Sequence, residues 1–142
     1  MKKTFKAIIS VLLVAVIVVA CFTACTNNAN NGEKVYKVGI CQLTQHEALD
    51  AATKGFRDAL TEKLGDKVVF DEQNASGEST NCTTIVSKFV SDKVDLILAN
   101  ATPALTAATE ATNTIPIVGT SITDYATALA ISDWSGKTGI NV

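Results

Sequence analysis

Val94-Asp95-Leu96-Ile97-Leu98-Ala99, followed at once by Asn100-Ala101-Thr102-Pro103, is the stretch that decides the fold. A nearly continuous apolar run of this length predicts a central parallel strand covered on both faces. The polar residues after it predict an abrupt exit, with Thr102 as N-cap and Pro103 opening a helix that reaches about Ala111. A buried strand that passes straight into a helix is half of a crossover unit.

The flanking sequence repeats that unit. Upstream, Thr80 to Asp92 places Cys82, Ile85, Val86, Phe89 and Val90 on one helical stripe, preceded by a strand over Lys67–Asp71 and a loop at Asn74-Ala75-Ser76-Gly77. Before these come a strand over Val35–Leu43 and a helix over Ala48–Leu64, whose apolar face is Leu49, Ala52, Phe56, Leu60 and Leu64 and whose stop is Gly65. Downstream, Ile115–Ile122 reads as a fourth strand and Thr123-Asp124 as the loop beyond it. The order β-α-β-α-β-α-β predicts an α/β fold: an open parallel sheet with helices on both faces. After Tyr125 the pattern weakens. Asp133 to Gly139 reads as a turn, and Ile140-Asn141-Val142 as a strand that stops as it begins.

The chain has 142 residues, 47% hydrophobic and 18% charged, and these totals mix two unlike pieces. Lys2, Lys3 and Lys6 precede an uninterrupted apolar run from Ala7 to Ala20, the pattern of a signal-peptide helix. The run is short for a spanning helix, which needs about 20 residues. Cleavage before a lipidated Cys25 is expected, because Cys25 lies beyond the apolar run and an Asn-rich tether follows it; Cys21 is the alternative. The expected organisation is therefore a lipoprotein signal peptide at 1–24, a flexible tether at 25–33 and one domain at 34–142. The formal charge of −2 and pI near 5.3 offer no basic surface for nucleic acid. Cys41 and Cys82 fall within apolar patterns and read as buried free thiols, although an oxidising exterior would permit a disulfide.

In an open parallel sheet, ligands bind outside the carboxyl ends of the strands. The loops at that edge, 44–47, 74–78, 100–102 and 120–124, are polar, and their hydroxyl and amide side chains are joined by one acid, Asp124, as candidate lining. The first has no glycine, which argues against a dinucleotide or phosphate-loop cofactor site; Ser135-Gly136-Lys137-Thr138 lacks the upstream glycine and reads as a turn. Metal binding is not expected, since the sole histidine, His46, has only Glu47 beside it. No catalytic residue is assigned. Helix N-terminal N–H groups suit a carboxylate and Asp124 suits an ammonium, so the edge fits a small zwitterion.

The stretches Val38–Ala52, Gly55–Leu60, Asn74–Glu78, Phe89–Ala104 and Ile115–Asp124 together resemble, in order, the first lobe of the ABC-transporter substrate-binding lipoproteins of the tryptophan/tyrosine type. The resemblance implies one lobe of a type I periplasmic-binding fold that holds an aromatic or other apolar amino acid and delivers it to a membrane permease. By position it points to Gln45, His46, Asn74, Ala75, Ala101, Thr102, Thr123 and Asp124 as ligand-binding residues. It also implies a lipid-anchored, extracytoplasmic location and no enzyme activity. Such proteins are about twice this long, so the second lobe is expected to be missing from a truncated chain. Other readings are an extracytoplasmic flavodoxin-like enzyme or regulator using His46, and a non-functional remnant.

Overall fold

The computed structural model describes residues 34–142; the signal peptide, Cys21, Cys25 and the tether lie outside the described residues. The elements are β1 (Tyr36–Gln42), α1 (Glu47–Leu64), a 3-10 turn (Gly65–Lys67), β2 (Val68–Asn74), α2 (Ser79–Ser91), β3 (Leu96–Asn100), α3 (Thr102–Ala111), β4 (Ile117–Thr120) and α4 (Tyr125–Ala128). The four strands form one sheet in the order β2-β1-β3-β4, and every pairing is parallel. The alternating apolar pattern thus produces the expected open α/β sheet.

Because strand side chains alternate between faces, β1 and β3 feed two cores. Val38, Ile40, Val68 and Leu98 turn toward α1, where Phe56, Leu60 and Leu64 meet them. Cys41, Ile97, Ala99 and Ile117 turn the other way and pack with Val86 and Phe89 of α2 and Leu105 and Ala108 of α3. The second face depends on Gly39. A Cβ built there would stand 2.6 Å from Phe89 Cδ2, so the bare backbone lets the ring lie directly on the strand.

Cys41 and Cys82 are free and fully buried in this second core, as their apolar settings implied. Burial disfavours the thiolate and raises both thiols above the ordinary range.

Several boundaries differ from those read in the sequence, each for a local reason. β2 runs to Asn74 instead of Asp71, because the backbone pairing Ile40↔Glu72 to Gln42↔Asn74 continues through polar residues on an edge strand. β3 starts at Leu96 instead of Val94, after a turn in which Lys93 has φ 54°. β4 is shorter than 115–122. Thr112 Oγ1 accepts the N–H groups of Thr114 and Ile115 in a preceding turn, and Ser121 at φ 57° ends the extended run. Ile140–Val142 forms no strand, although Asn141 O accepts Ile117 N–H at 2.7 Å beside β4.

Gly39→Ala is expected to cost about 1 to 3 kcal/mol of unfolding free energy through overpacking, read by urea denaturation. Phe89→Leu in the same background should recover part of the loss. An unchanged midpoint for the single variant would show that the ring does not need the gap.

Candidate functional site

All four strands end on one rung. Asn74, Gln42, Asn100 and Thr120 are the last residues of β2, β1, β3 and β4, and they are register partners in that order. Four loops therefore leave the sheet at the same level, forming a rim about 14 Å wide at normal strand spacing. Backbone hydrogen bonds stitch neighbouring loops together: Leu43 N–H to Asn100 O at 3.1 Å, Gly77 N–H to Leu43 O at 2.7 Å, and Ala101 N–H to Thr120 O at 3.0 Å.

The rim also concentrates unusual backbone. Ser76 (φ 55°), Ala101 (φ 96°) and Ser121 (φ 57°) are three of the five non-glycine residues with positive φ among the described residues. Ala101, with ψ 156°, occupies a region that is nearly confined to glycine. Such conformations persist where the surroundings hold them, and here they turn three chains sharply out of the sheet.

Four helices start at this edge, and their N-termini differ. His46 caps α1, with Nδ1 accepting Ala48 N–H at 3.2 Å. Asp124 caps α4: Oδ1 accepts Ala126 N–H at 2.9 Å, and Oδ2 accepts the Thr127 hydroxyl at 2.8 Å. The Thr127 hydroxyl, with the backbone N–H groups, holds the Asp124 carboxyl below the usual carboxylate range. By contrast, α2 and α3 begin at Glu78 and Ala101 with no side-chain cap. Ala101, not Thr102, is the cap residue of α3: Leu105 N–H bonds to Ala101 O, and Thr102 is the first helical residue. The first N–H groups of these two helices have no side-chain acceptor, an arrangement that suits a carboxylate.

The sequence-predicted residues divide accordingly. Gln45 and Asn74 share a polar hollow of about 260 Å³ with Gln42, Asp50, Glu72 and Gln73. Asn74 Oδ1 is also used locally, accepting Ser76 N–H at 2.8 Å. Ala75 is fully buried, so its side chain belongs to the core and its carbonyl accepts Asn81 Nδ2 at 3.1 Å. Ala101 and Thr102 stand at the mouth of α3, while Thr123 and Asp124 are exposed beyond β4. Asn74 and Asp124 thus follow the two edge strands, β2 and β4, and lie at opposite ends of the rim.

Three features escaped the sequence. Thr53 and Gln42 are buried polar residues below the rim, and Thr53 could have been noticed as a hydroxyl on the apolar stripe of α1. Tyr125 and Trp134 stack with centroids 6.3 Å apart and line an open groove of about 660 Å³ along β4. Only the chain reversal after α4 brings that pair together. Among the described residues, no three of His, Cys, Asp and Glu gather as metal ligands.

The chain matches the family described as ABC transporter substrate binding protein over residues 37–142. A tyrosine-binding protein of Clostridioides difficile is 42% identical over 132 residues, covering 84% of this chain and 38% of that protein. Among solved structures, an open, ligand-free substrate-binding protein with adhesive properties from Clostridium difficile aligns with TM-score 0.70 and 42% identity, covering 76% of this chain and 37% of that one. An ABC domain from Streptococcus pneumoniae in complex with L-Trp aligns with TM-score 0.68 and 33% identity, covering 75% and 37%. The chain spans less than two fifths of the length of these relatives.

Asp124 gives a pH test. Its lowered folded-state pKa means that the cap stabilises the fold above the ordinary carboxylate range and is lost as pH falls through the lowered value. Asp124→Asn should therefore flatten part of the acid limb of stability against pH. An unaltered acid limb would remove Asp124 from that balance. Separately, Ala101→Gly is expected to raise stability by about 1 kcal/mol, because relief of strain outweighs the entropy of glycine. Destabilisation would mean that the backbone there is unstrained.

Proposed function

The chain belongs to the ABC transporter substrate-binding protein family, and from that premise we propose that its rim is one wall of a cleft for an aromatic or other apolar amino acid. The observation that supports this reading is that α2 and α3 start at the rim without a side-chain cap, whereas α1 and α4 are capped by His46 and Asp124. A ligand carboxylate has partial positive charge to meet there and no competing side-chain cap. Asp124, an exposed carboxylate whose oxygens are oriented by the α4 cap, is assigned to the ligand ammonium. Gln45, His46, Asn74, Thr102 and Thr123 supply hydrogen-bonding groups around them, and Ala75 and Ala101 contribute backbone. The tyrosine-binding and L-Trp-bound relatives make aromatic amino acids the first ligands to try.

Proteins of this family bind a small molecule outside the cytoplasm and work with an ABC transporter. In the reading proposed here, residues 1–24 direct export, Cys25, or alternatively Cys21, carries the lipid, and 25–33 tether the domain near its permease. A second wall completes the cleft. The relatives are substrate-binding proteins, and the reading assigns the chain no chemistry. The alternative of an enzyme built on His46 is not favoured. His46 Nδ1 is taken up by the α1 cap, and the thiol of Cys41 is sealed in the core.

Titration with L-tyrosine, L-tryptophan and L-leucine, followed by amide chemical shifts, is expected to move residues of the segments 44–48, 74–80, 101–105 and 121–127. Residues 113–115, at the opposite end of the sheet, should stay still. Absence of any shift with all three amino acids would sink the ligand assignment.

A further inference from the structure

The apolar core beneath α1 stops one rung short of the rim. The β1 residues facing α1 run Val38, Ile40, Gln42, and their β3 partners run Leu96, Leu98, Asn100. Helix α1 meets the apolar rungs with Phe56 and Leu60 and the last rung with Thr53. Gln42, Thr53 and Asn100 are only 5%, 2% and 0% exposed. Three elements have therefore placed polar side chains where the pattern calls for apolar ones.

Their hydrogen bonds form one network. The Thr53 hydroxyl donates to Gln42 Oε1 at 2.7 Å and accepts from Asn100 Nδ2 at 2.9 Å. Asn100 Nδ2 also donates to Leu49 O at 2.8 Å. Gln42 Nε2 donates to Thr44 O at 2.9 Å and to Asp50 Oδ1 at 2.6 Å. Among the described residues, every hydrogen bond from the sheet into the segment 44–50 comes from the side chain of Gln42 or Asn100. That segment is the first rim loop and the opening turn of α1, and it contains Gln45 and His46. Asn100 in turn precedes Ala101, the strained cap of α3.

Stability does not explain such a layer. A buried polar group gains little net free energy over a well-packed apolar one, and Asn100 Oδ1 is buried with no partner at all. Its directional bonds do what apolar contacts cannot, fixing the first loop against the third.

We propose that Gln42, Thr53 and Asn100 are positioning residues that couple the β1–α1 loop to the β3–α3 loop and set the rim in its ligand-binding geometry. None of the three contacts ligand in this scheme; they act through Thr44, Leu49 and Asp50 on one side and Ala101 on the other. The consequence for ligand rests on the proposed function, whereas the mechanical coupling does not.

Thr53→Val and Thr53→Ser make a matched pair, since Val keeps the shape without the hydroxyl and Ser keeps the hydroxyl. In the full chain, Thr53→Val is expected to speed amide hydrogen exchange across 45–50 by about tenfold, the factor associated with one net hydrogen bond, while leaving 86–90 of α2 as in the parent. It should also weaken L-tryptophan binding by about tenfold, and Thr53→Ser should restore both readouts. Asn100→Asp, which removes the Nδ2 donor to Leu49 O, should loosen the same segment if Thr53→Val does not fold. Parent-like exchange over 45–50 in Thr53→Val, or in Asn100→Asp if Thr53→Val does not fold, overturns the proposal, as does equal loosening of 86–90. If the parent chain binds no L-tryptophan, the ligand reading fails, and the exchange comparison still decides the coupling.

Discussion

β1 is held on both sides, by β2 from Tyr36↔Val68 to Gln42↔Asn74 and by β3 from Val38↔Leu96 to Gln42↔Asn100. That double parallel register is the constraint on which the rest depends. It fixes which side chains face α1 and which face α2 and α3, since a one-residue slip would exchange the two sets. It also brings the strand ends level, so that four loops with little sequence proximity share one rim. The close approach of Phe89 to Gly39 then sets α2 against the strand, and with it the open helix N-terminus at Glu78.

Much of the local bonding at the rim shapes the protein itself. His46 and Asp124 spend acceptor capacity on α1 and α4, and Asn74 spends its own on a turn. Helices α2 and α3 differ, because their first backbone N–H groups lack side-chain partners. Backbone N–H groups are fixed by the fold and need no rotamer ordering when a ligand arrives, which makes them economical recognition elements. The backbone at Ser76, Ala101 and Ser121 turns the chain sharply where those groups are presented.

Beneath this surface the molecule changes character within two strand residues, from the apolar rung Ile40, Leu98, Val118 to the polar rung Asn74, Gln42, Asn100, Thr120 two residues further on. The apolar rung supplies stability through area removed from water. The polar rung supplies direction, because hydrogen bonds constrain angles where apolar contacts constrain mainly volume. Recognition and packing are thus neighbouring layers of one sheet.

The sequence by itself determined the alternation of strands and helices, the buried β3 run, the amphipathic faces of α1 and α2, and the edge at which polar loops gather, because periodicity follows directly from backbone geometry. The free, buried state of Cys41 and Cys82 followed from the same stripes. Only the tertiary structure decided the rest. The sequence has no period that extends β2 through Glu72, Gln73 and Asn74, since edge pairing is a backbone matter that tolerates polar side chains. Ala75 reads as a loop residue in the sequence, yet its side chain lies in the core, because the direction of a side chain leaving a strand depends on a turn that the neighbouring strands impose. Thr53, Gln42 and Asn100, separated by up to 58 residues, meet only because parallel register and helix packing carry them to one point, and no local rule links them.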